Sequence, residues 1–479
     1  MRHFRFFWLL TLLLLAKSLP AAESPASPRP NIVFILADDW GWGDLSGHGH
    51  PWLKTPNLDR LAREGVDFQQ FNVLNPVCSP SRTAIITGRF PARYCIHGHF
   101  AAPPENASRD MPDWLDPAAP SLPRLMKEAG YRTAHFGKWH LTNRETSGAP
   151  IPTAYGYDEY HVFNAGAEWP SAPFHSTAED AAAFIKASAG RPFFINAWLH
   201  ESHTPHVPTS ESMAKWKHLD EQQRVYAAVI TDGDEAVGRI LAALKDAGVE
   251  DNTLVVFTSD NGPEWTGKNK GPAARDAHTA SQGYDTYYSV GSSGGLRGRK
   301  RSLFEGGVRV PFLLRWPGRA PAGVTNDTTV VTGVDMLPTL CAAAGIIPPA
   351  TDAGDGENLL EAFLGQPAVR TKPVFWEWTG NKTEPDWWPR LAVREGDWKL
   401  VMTYDASRVE LHDLRADRAE EKDVAAAHPE VVARLSKLAR DWKATLPAHP
   451  DPAFIDRAGR EKVRKPAKDA KKARPGTTR

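Results

Sequence analysis

The chain has 479 residues, 41% of them hydrophobic, which is enough to bury a large core and is longer than one average domain. Its 57 basic and 57 acidic side chains cancel, which excludes a global field that would recruit nucleic acid or a polyanion and leaves anion recognition to local clusters. The 3 cysteines, Cys78, Cys95 and Cys341, are too few, and odd in number, for a disulfide scaffold.

In chain order, Arg2 and Arg5 precede the apolar run "FFWLLTLLLLA", and Ala21-Ala22 leads into the Ser/Pro-rich "ESPASPRP". Residues 1–22 read as a signal peptide and 23–30 as a linker; the alternative, an uncleaved anchor, has an apolar run short for a bilayer. The expected location is periplasmic or secreted, with no stable membrane insertion after cleavage. "NIVFILADD" (residues 31–39) is a continuous apolar run ending in two acids, the pattern of a strand buried on both faces. "PNLDRLAREG" has helical spacing and stops at Gly65. "SLPRLMKEAG" (121–130) predicts a helix with Ser121 as N-cap and Gly130 just past its end. "YRTAHFGKWH" follows as a strand, and "RPFFINAWLHESHTPH" is another apolar run, this one ending in histidines. "EQQRVYAAVITDGDEAVGRILAALKDAG" predicts a long amphipathic helix, and "NTLVVFTSDNG" (252–262) a buried strand ending in Asp-Asn-Gly.

Strands alternating with helices predict an α/β fold with a large mixed, mostly parallel sheet flanked by helices, spanning residues 31–366. The polar stretch at 263–295 is long for a loop in a compact domain, which marks it as a functional candidate. From about residue 367 the pattern changes to short strands and turns closed by the helix "PEVVARLSKLARDWKATL", a smaller C-terminal α+β domain over 367–454. Residues 455–479 are rich in Lys, Arg, Ala and Pro without apolar periodicity and read as a disordered tail.

Several strand runs end in polar clusters: Asp38-Asp39, Lys138-Trp-His140, the histidines 200, 203 and 206, and Asp260-Asn261. In an open parallel sheet ligands bind at the carboxyl ends of the strands, so these clusters can meet. Asp38, Asp39, Asp260 and Asn261 offer only oxygen donors, which suits Ca²⁺ or Mg²⁺ and not zinc; taken singly, an Asp at a strand end is more often a turn former. Cys341, in "DMLPTLCAAAG", reads as a small apolar residue on a buried helix. Cys78, between Pro76 and Pro80 in "NPVCSPSRTAIITG", sits at the start of a predicted helix, where the dipole and free N–H groups attract anions, and Arg82 shares its face.

"CSPSR" followed by "TAIITGRFPAR" resembles the signature of the type I, formylglycine-dependent sulfatases of the alkaline phosphatase superfamily. The resemblance extends through "NIVFILADDWGWGDL", "GYRTAHFGKWHL", "HTPHVP", "VVFTSDNG" and "RGRKRSLFEGGVRVPFLLRWPG". It implies that a maturation enzyme oxidises Cys78 to formylglycine (3-oxoalanine), whose hydrate attacks the sulfur of a sulfate monoester and later releases sulfate by elimination. It implies that Asp38, Asp39, Asp260 and Asn261, with residue 78, hold Ca²⁺, Mg²⁺ being the second choice. It implies that Arg82 orients residue 78, that Lys138 and Lys300 hold sulfate oxygens, that His140 deprotonates the second hydroxyl of the hydrate and that His206 assists the leaving oxygen. His203 is the alternative within its cluster, and Arg299 and Arg301 flank Lys300 closely enough for a slip in register to matter.

The expected substrate is a sulfated carbohydrate, because several of the 17 tryptophans fall in polar, loop-like stretches and aromatic faces stack on sugars. The alternative is that these tryptophans pack between domains. Two other functions are open: a phosphodiesterase or phosphonate monoester hydrolase of the same superfamily, or a non-catalytic binding protein if Cys78 is not matured.

Overall fold

An eight-stranded mixed sheet forms the centre of the molecule, a computed structural model that describes residues 29–265, 289–380 and 388–462, apart from 169, 189 and 353. The expected signal peptide and most of the 263–295 loop lie outside the described residues. The strands are β1 (Asn31–Ala37), β2 (Val66–Phe68), β4 (Arg132–Lys138), β5 (Glu159–Phe163), β6 (Phe193–Trp198), β7 (Thr253–Ser259), β8 (Phe312–Arg315) and β9 (Val324–Asn326). β3 (Phe71–Asn72) and β10 (Val331–Thr332) pair separately. The order is β5-β4-β6-β1-β7-β8-β2-β9. Neighbours from β5 to β7 are parallel, and β8 is antiparallel to both β7 and β2.

The unbroken apolar run of β1 has a plain cause. Ile32, Phe34 and Leu36 enter the core on one face of the sheet, while Val33, Ile35 and Ala37 enter the core on the other. The second face is covered by the helix Glu221–Asp246, whose Val225, Val229, Val237 and Ile240 are fully buried against it. That two-sided burial removes the polar alternation of a half-exposed strand. The expected helix after Ser121 runs Leu122–Glu128 with Ser121 at its N-cap position, but the side chain makes no capping bond; its hydroxyl donates to the Tyr155 carbonyl at 2.5 Å. No helix among the described residues is long and apolar enough to cross a membrane.

The C-terminal part is a four-stranded antiparallel sheet of β11 (Val374–Glu377), β12 (Leu391–Glu395), β13 (Trp398–Met402) and β14 (Val409–Asp413). The helix Pro429–Ala444 closes it, with Trp442 stacked on Phe375 at 4.9 Å. This sheet shares a core with the main body. Trp376 Nε1 donates to the Val73 carbonyl at 2.7 Å and Asn75 Nδ2 to the Glu377 carbonyl at 2.9 Å, so β11 braces the segment that leads into Cys78. The tail expected from residue 455 is ordered at its start. Arg457–Lys462 is helical, and Arg460 reaches the buried Asp113 (Nε–Oδ2 2.9 Å).

A buried charge cluster also crosses the seam. Lys399 Nζ of β13 lies 2.8 Å from Glu305 Oε1 and 3.1 Å from Glu420 Oε1, and all three side chains are fully buried. Burial pushes the Glu305 carboxyl up, but Lys399, Arg309 and Arg394 outweigh it and hold the group well below its ordinary range. Glu420, where burial outweighs Lys399, is pushed up to about 7. Replacing Lys399 by Met leaves the buried Glu420 without its counter-charge and beside Glu305, which keeps Arg309, and should cost about 3–5 kcal/mol of stability. Urea unfolding checks this, with Lys437→Met, at an exposed ion pair with Asp441, as the control that leaves the midpoint in place.

Candidate active site

Register places the two acidic turns side by side. β1 and β7 are parallel neighbours with Ala37 opposite Ser259, so Asp38-Asp39 and Asp260-Asn261 leave adjacent strand ends together. Asp39 takes a left-handed conformation (φ 61°), which turns its side chain away from that of Asp38, and its N–H donates to Asp260 Oδ1 at 3.2 Å. β4, two strands away beyond β6, delivers Lys138, whose Nζ lies 2.6 Å from Asp38 Oδ2. His140, just past the strand end, is also left-handed (φ 53°). Lys300 arrives from the other side, its Nζ 2.6 Å from Asp39 Oδ2. Its segment can approach because a Cβ on Gly262 would lie 2.0 Å from the Gly306 carbonyl oxygen, so only glycine fits there.

Cys78 opens the helix Cys78–Thr87 at this point and is buried. Its sulfur and the carboxylate oxygens of Asp38 and Asp260 lie within 4.8 Å of one another. Arg82, one turn on and fully buried, donates to Asp260 Oδ2 from Nε at 3.1 Å and from Nη2 at 2.6 Å, and from Nη1 to the Lys138 carbonyl at 3.2 Å. The indole of Trp198 lies under its guanidinium at 4.9 Å.

Three buried carboxylates thus meet three buried cations. The balance is uneven. Burial pushes Asp38 up, but Lys138, His203, Arg82 and the hydrogen bond from His200 hold it well below the ordinary range. Burial keeps Asp39 raised despite Lys300, and burial together with Asp38 raises Asp260 well above it. Asp38 Oδ1 and Asn261 Oδ1 are buried and accept no hydrogen bond. An all-oxygen side-chain set with two buried, unsatisfied oxygens fits a hard divalent cation, with Asp38, Asp39, Asp260, Asn261 and residue 78 as its holders.

The histidines divide differently from expectation. His206 is fully buried and packs against Tyr226, with ring centroids 5.8 Å apart. His203 instead faces the site, with Nε2 3.4 Å from Lys300 Nζ and 3.7 Å from Asp39 Oδ2. Burial, followed by Lys138, pushes His203 well below its ordinary range. His200, on which the ring of His203 stacks at 4.8 Å, holds Asp38 Oδ2 through Nδ1 at 2.5 Å, a contact that no spacing rule in the sequence signalled. His140 Nε2 lies 3.0 Å from the Phe100 carbonyl, which leaves its buried Nδ1 without a hydrogen-bond partner. A cleft of about 470 Å³ opens over Lys138, His140, His200, His203 and Pro205. Glu264, which pairs with Arg301 at 2.7 Å and lies 3.9 Å from Lys300, also went unsignalled. The tryptophans separate too: Trp376 and Trp378 are buried at the domain seam, as packing, while Trp265 is 51% exposed.

The family model for Sulfatase matches residues 30–346, and that for N-sulphoglucosamine sulphohydrolase, C-terminal, matches residues 298–444. The chain is 34% identical over 410 residues to N-acetylgalactosamine-6-sulfatase of Canis lupus familiaris, covering 77% of this chain and 72% of that protein. It is 32% identical over 400 residues to arylsulfatase A of Bos taurus, covering 75% and 71%. The crystal structure of Ps i-CgsB in complex with k-i-k-neocarrahexaose shares the fold with a TM-score of 0.71 at 24% identity, over 91% of this chain and 97% of that one.

The donor set makes a prediction that needs no turnover. Ca²⁺ added to the metal-stripped protein should raise its melting temperature, by linkage worth about 2.7 kcal/mol at a hundredfold excess over Kd. Asp39→Ala should melt cooperatively and show no shift. Calorimetry with and without Ca²⁺ checks both; a shift of the same size in Asp39→Ala would contradict the assignment.

Proposed function

The chain belongs to the sulfatase family, and from that premise we propose that it is an exported enzyme that removes sulfate from a sulfated carbohydrate, using residue 78 as formylglycine and one Ca²⁺. Sulfuric ester hydrolysis is the activity of the family. The observation that carries the assignment to this site is the meeting of the Cys78 sulfur with Asp38 and Asp260 at the strand ends, among Arg82, Lys138 and Lys300. The charged N-terminus and apolar run before residue 23 support export. The relative named N-acetylgalactosamine-6-sulfatase, together with exposed Trp265, supports a sugar substrate.

When present, the matured residue supplies an oxygen nucleophile and the cation supplies positive charge beside it. The remaining work falls to side chains whose places are known. Arg82 holds Asp260 from two nitrogens and fixes the floor of the site. Lys138 and Lys300 lie at opposite sides of the carboxylate pair, where their ammonium groups can neutralise the oxygens of an entering sulfate group. His140 has Nδ1 free to accept a proton from residue 78, since Nε2 is fixed by the Phe100 carbonyl. His203, and not His206, is the group to assist the departing sugar oxygen, by an N–H hydrogen bond from the neutral imidazole that its lowered range favours. It borders the cleft and reaches Lys300, whereas His206 is fully buried against Tyr226 and does not line the cleft.

Two predictions follow from these placements. Sulfated mono- and oligosaccharides should be turned over by the matured protein, and Cys78→Ala should abolish turnover while the melting curve persists; a desulfation assay on a panel of sulfated and phosphate diester substrates reads this. His203→Ala should slow sugar sulfates by about 10²–10⁴-fold and activated aryl sulfates far less, because a good leaving group needs little such assistance. Equal losses on both substrates, or a larger selective loss in His206→Ala, would return the acid role to His206.

A further inference from the structure

A second cleft, of about 620 Å³, lies where the C-terminal sheet meets the β2–β3 and β9–β10 connections. It shares no lining residue with the cleft over Lys138 and His140. Six cations line it: Arg309, Arg370, Lys372, Arg394, Arg415 and Arg418. The lining acids are Asp327 and Asp397. Some of the positive charge is matched from behind. Arg309 Nε lies 2.8 Å from Glu305, and Arg370 Nη1 lies 2.5 Å from Asp335 with Glu357 3.9 Å from its Nε. Arg394 hydrogen-bonds to neutral groups: Nε donates to the Gly396 carbonyl at 3.0 Å, Nη1 to Asn72 Oδ1 at 3.0 Å and Nη2 to Gln70 Oε1.

These are not loose surface arginines. The side chains of Arg309 and Arg370 are 3% and 5% exposed, and Arg394 is 1% exposed. Arg370 Nη2 is buried and has no hydrogen-bond partner. Burial, with Arg309 and Arg370 close by, pushes Arg394 down to about 10 in spite of Glu305, and burial and Arg309 push Arg418 down as well. Buried arginines that repel one another and leave a donor unmet form a site whose missing partner is an anion. The planar guanidinium forks suit tetrahedral oxoanions, and the volume admits a group of disaccharide size.

We infer that this cleft is a second oxoanion site built to take a sulfate group, either free sulfate or a sulfate ester carried on a saccharide. Sulfate is the oxoanion at hand, because the family reaction consumes its esters and releases it. The site does not depend on the roles assigned around Cys78. It would let the enzyme hold a further sulfate of a multiply sulfated chain, or sense its own product, and the two sources can be told apart.

The test uses the full chain. Crystals soaked in selenate should place a selenium atom in the cleft within hydrogen-bond reach of Arg370 or Arg394. Equilibrium dialysis with radiolabelled sulfate should show a binding event that Arg370→Gln weakens by about tenfold or more, as expected for one lost charged hydrogen bond. The double variant Arg415→Gln, Arg418→Gln, at exposed positions, should weaken it also, and serves if Arg370→Gln fails to fold. Displacement of the label by a sulfated disaccharide but not by its desulfated form identifies the ester as ligand; displacement by inorganic sulfate alone identifies the free ion. No selenium in the cleft, or unchanged sulfate affinity in both variants, would overturn the inference.

Discussion

Asp38, Asp39 and Asp260 stand fully buried at the ends of two adjacent strands, and three carboxylates cannot remain there without counter-charge. Much of the chain is arranged to meet that constraint. β4 brings Lys138 to Asp38, the segment past Gly298 brings Lys300 to Asp39, and the Cys78 helix brings Arg82 to Asp260. Each partner comes from a different part of the sequence, so the cluster forms only when the sheet is assembled. The same requirement places Cys78: a helix that must deliver Arg82 to Asp260 sets its first residue beside the acids one turn earlier. A site already balanced by lysines can admit a divalent cation and a sulfate group together with little change in its total charge.

The C-terminal sheet contributes through a second, similar seam. Trp376 and Asn75 tie it to the segment entering Cys78, and Lys399 ties it to Glu305, five residues after Lys300. The two segments that enter the catalytic cluster from this side are thus both braced by the smaller domain. Charge recurs at the seam's outer edge as a row of arginines around a cleft, with fewer acids than bases. Packing and hydrogen bonds explain the buried seam; the surplus of cations at its edge calls for a ligand.

Much of this was legible in the sequence, for reasons that can be named. β1 and β7 read correctly because burial on both faces leaves a continuous apolar run, and their terminal acids stood out against it. Cys78 and Arg82 were legible because the spacing of one helical turn fixes their shared face. The histidines were less so. In "HTPH" both lie past the end of β6, and only the path of the chain through Thr204 and Pro205 decides that His203 turns to Lys300 while His206 turns to Tyr226. Composition likewise left sugar stacking and domain packing open for the tryptophans, and Trp376 and Trp378 take the second, as core at the seam. The brace from His200 to Asp38, the Glu264 pair and the arginine cleft depend on contacts between distant segments, which carry no local signal.

In the proposed function, residue 78 acts as an oxidised cysteine within this charge cluster. Mass spectrometry of the peptide carrying residue 78, from active protein purified from its native host, tests it most directly. The expected result is that the thiol is replaced by an aldehyde or its hydrate, in proportion to specific activity. Fully active protein with the Cys78 thiol intact would contradict it.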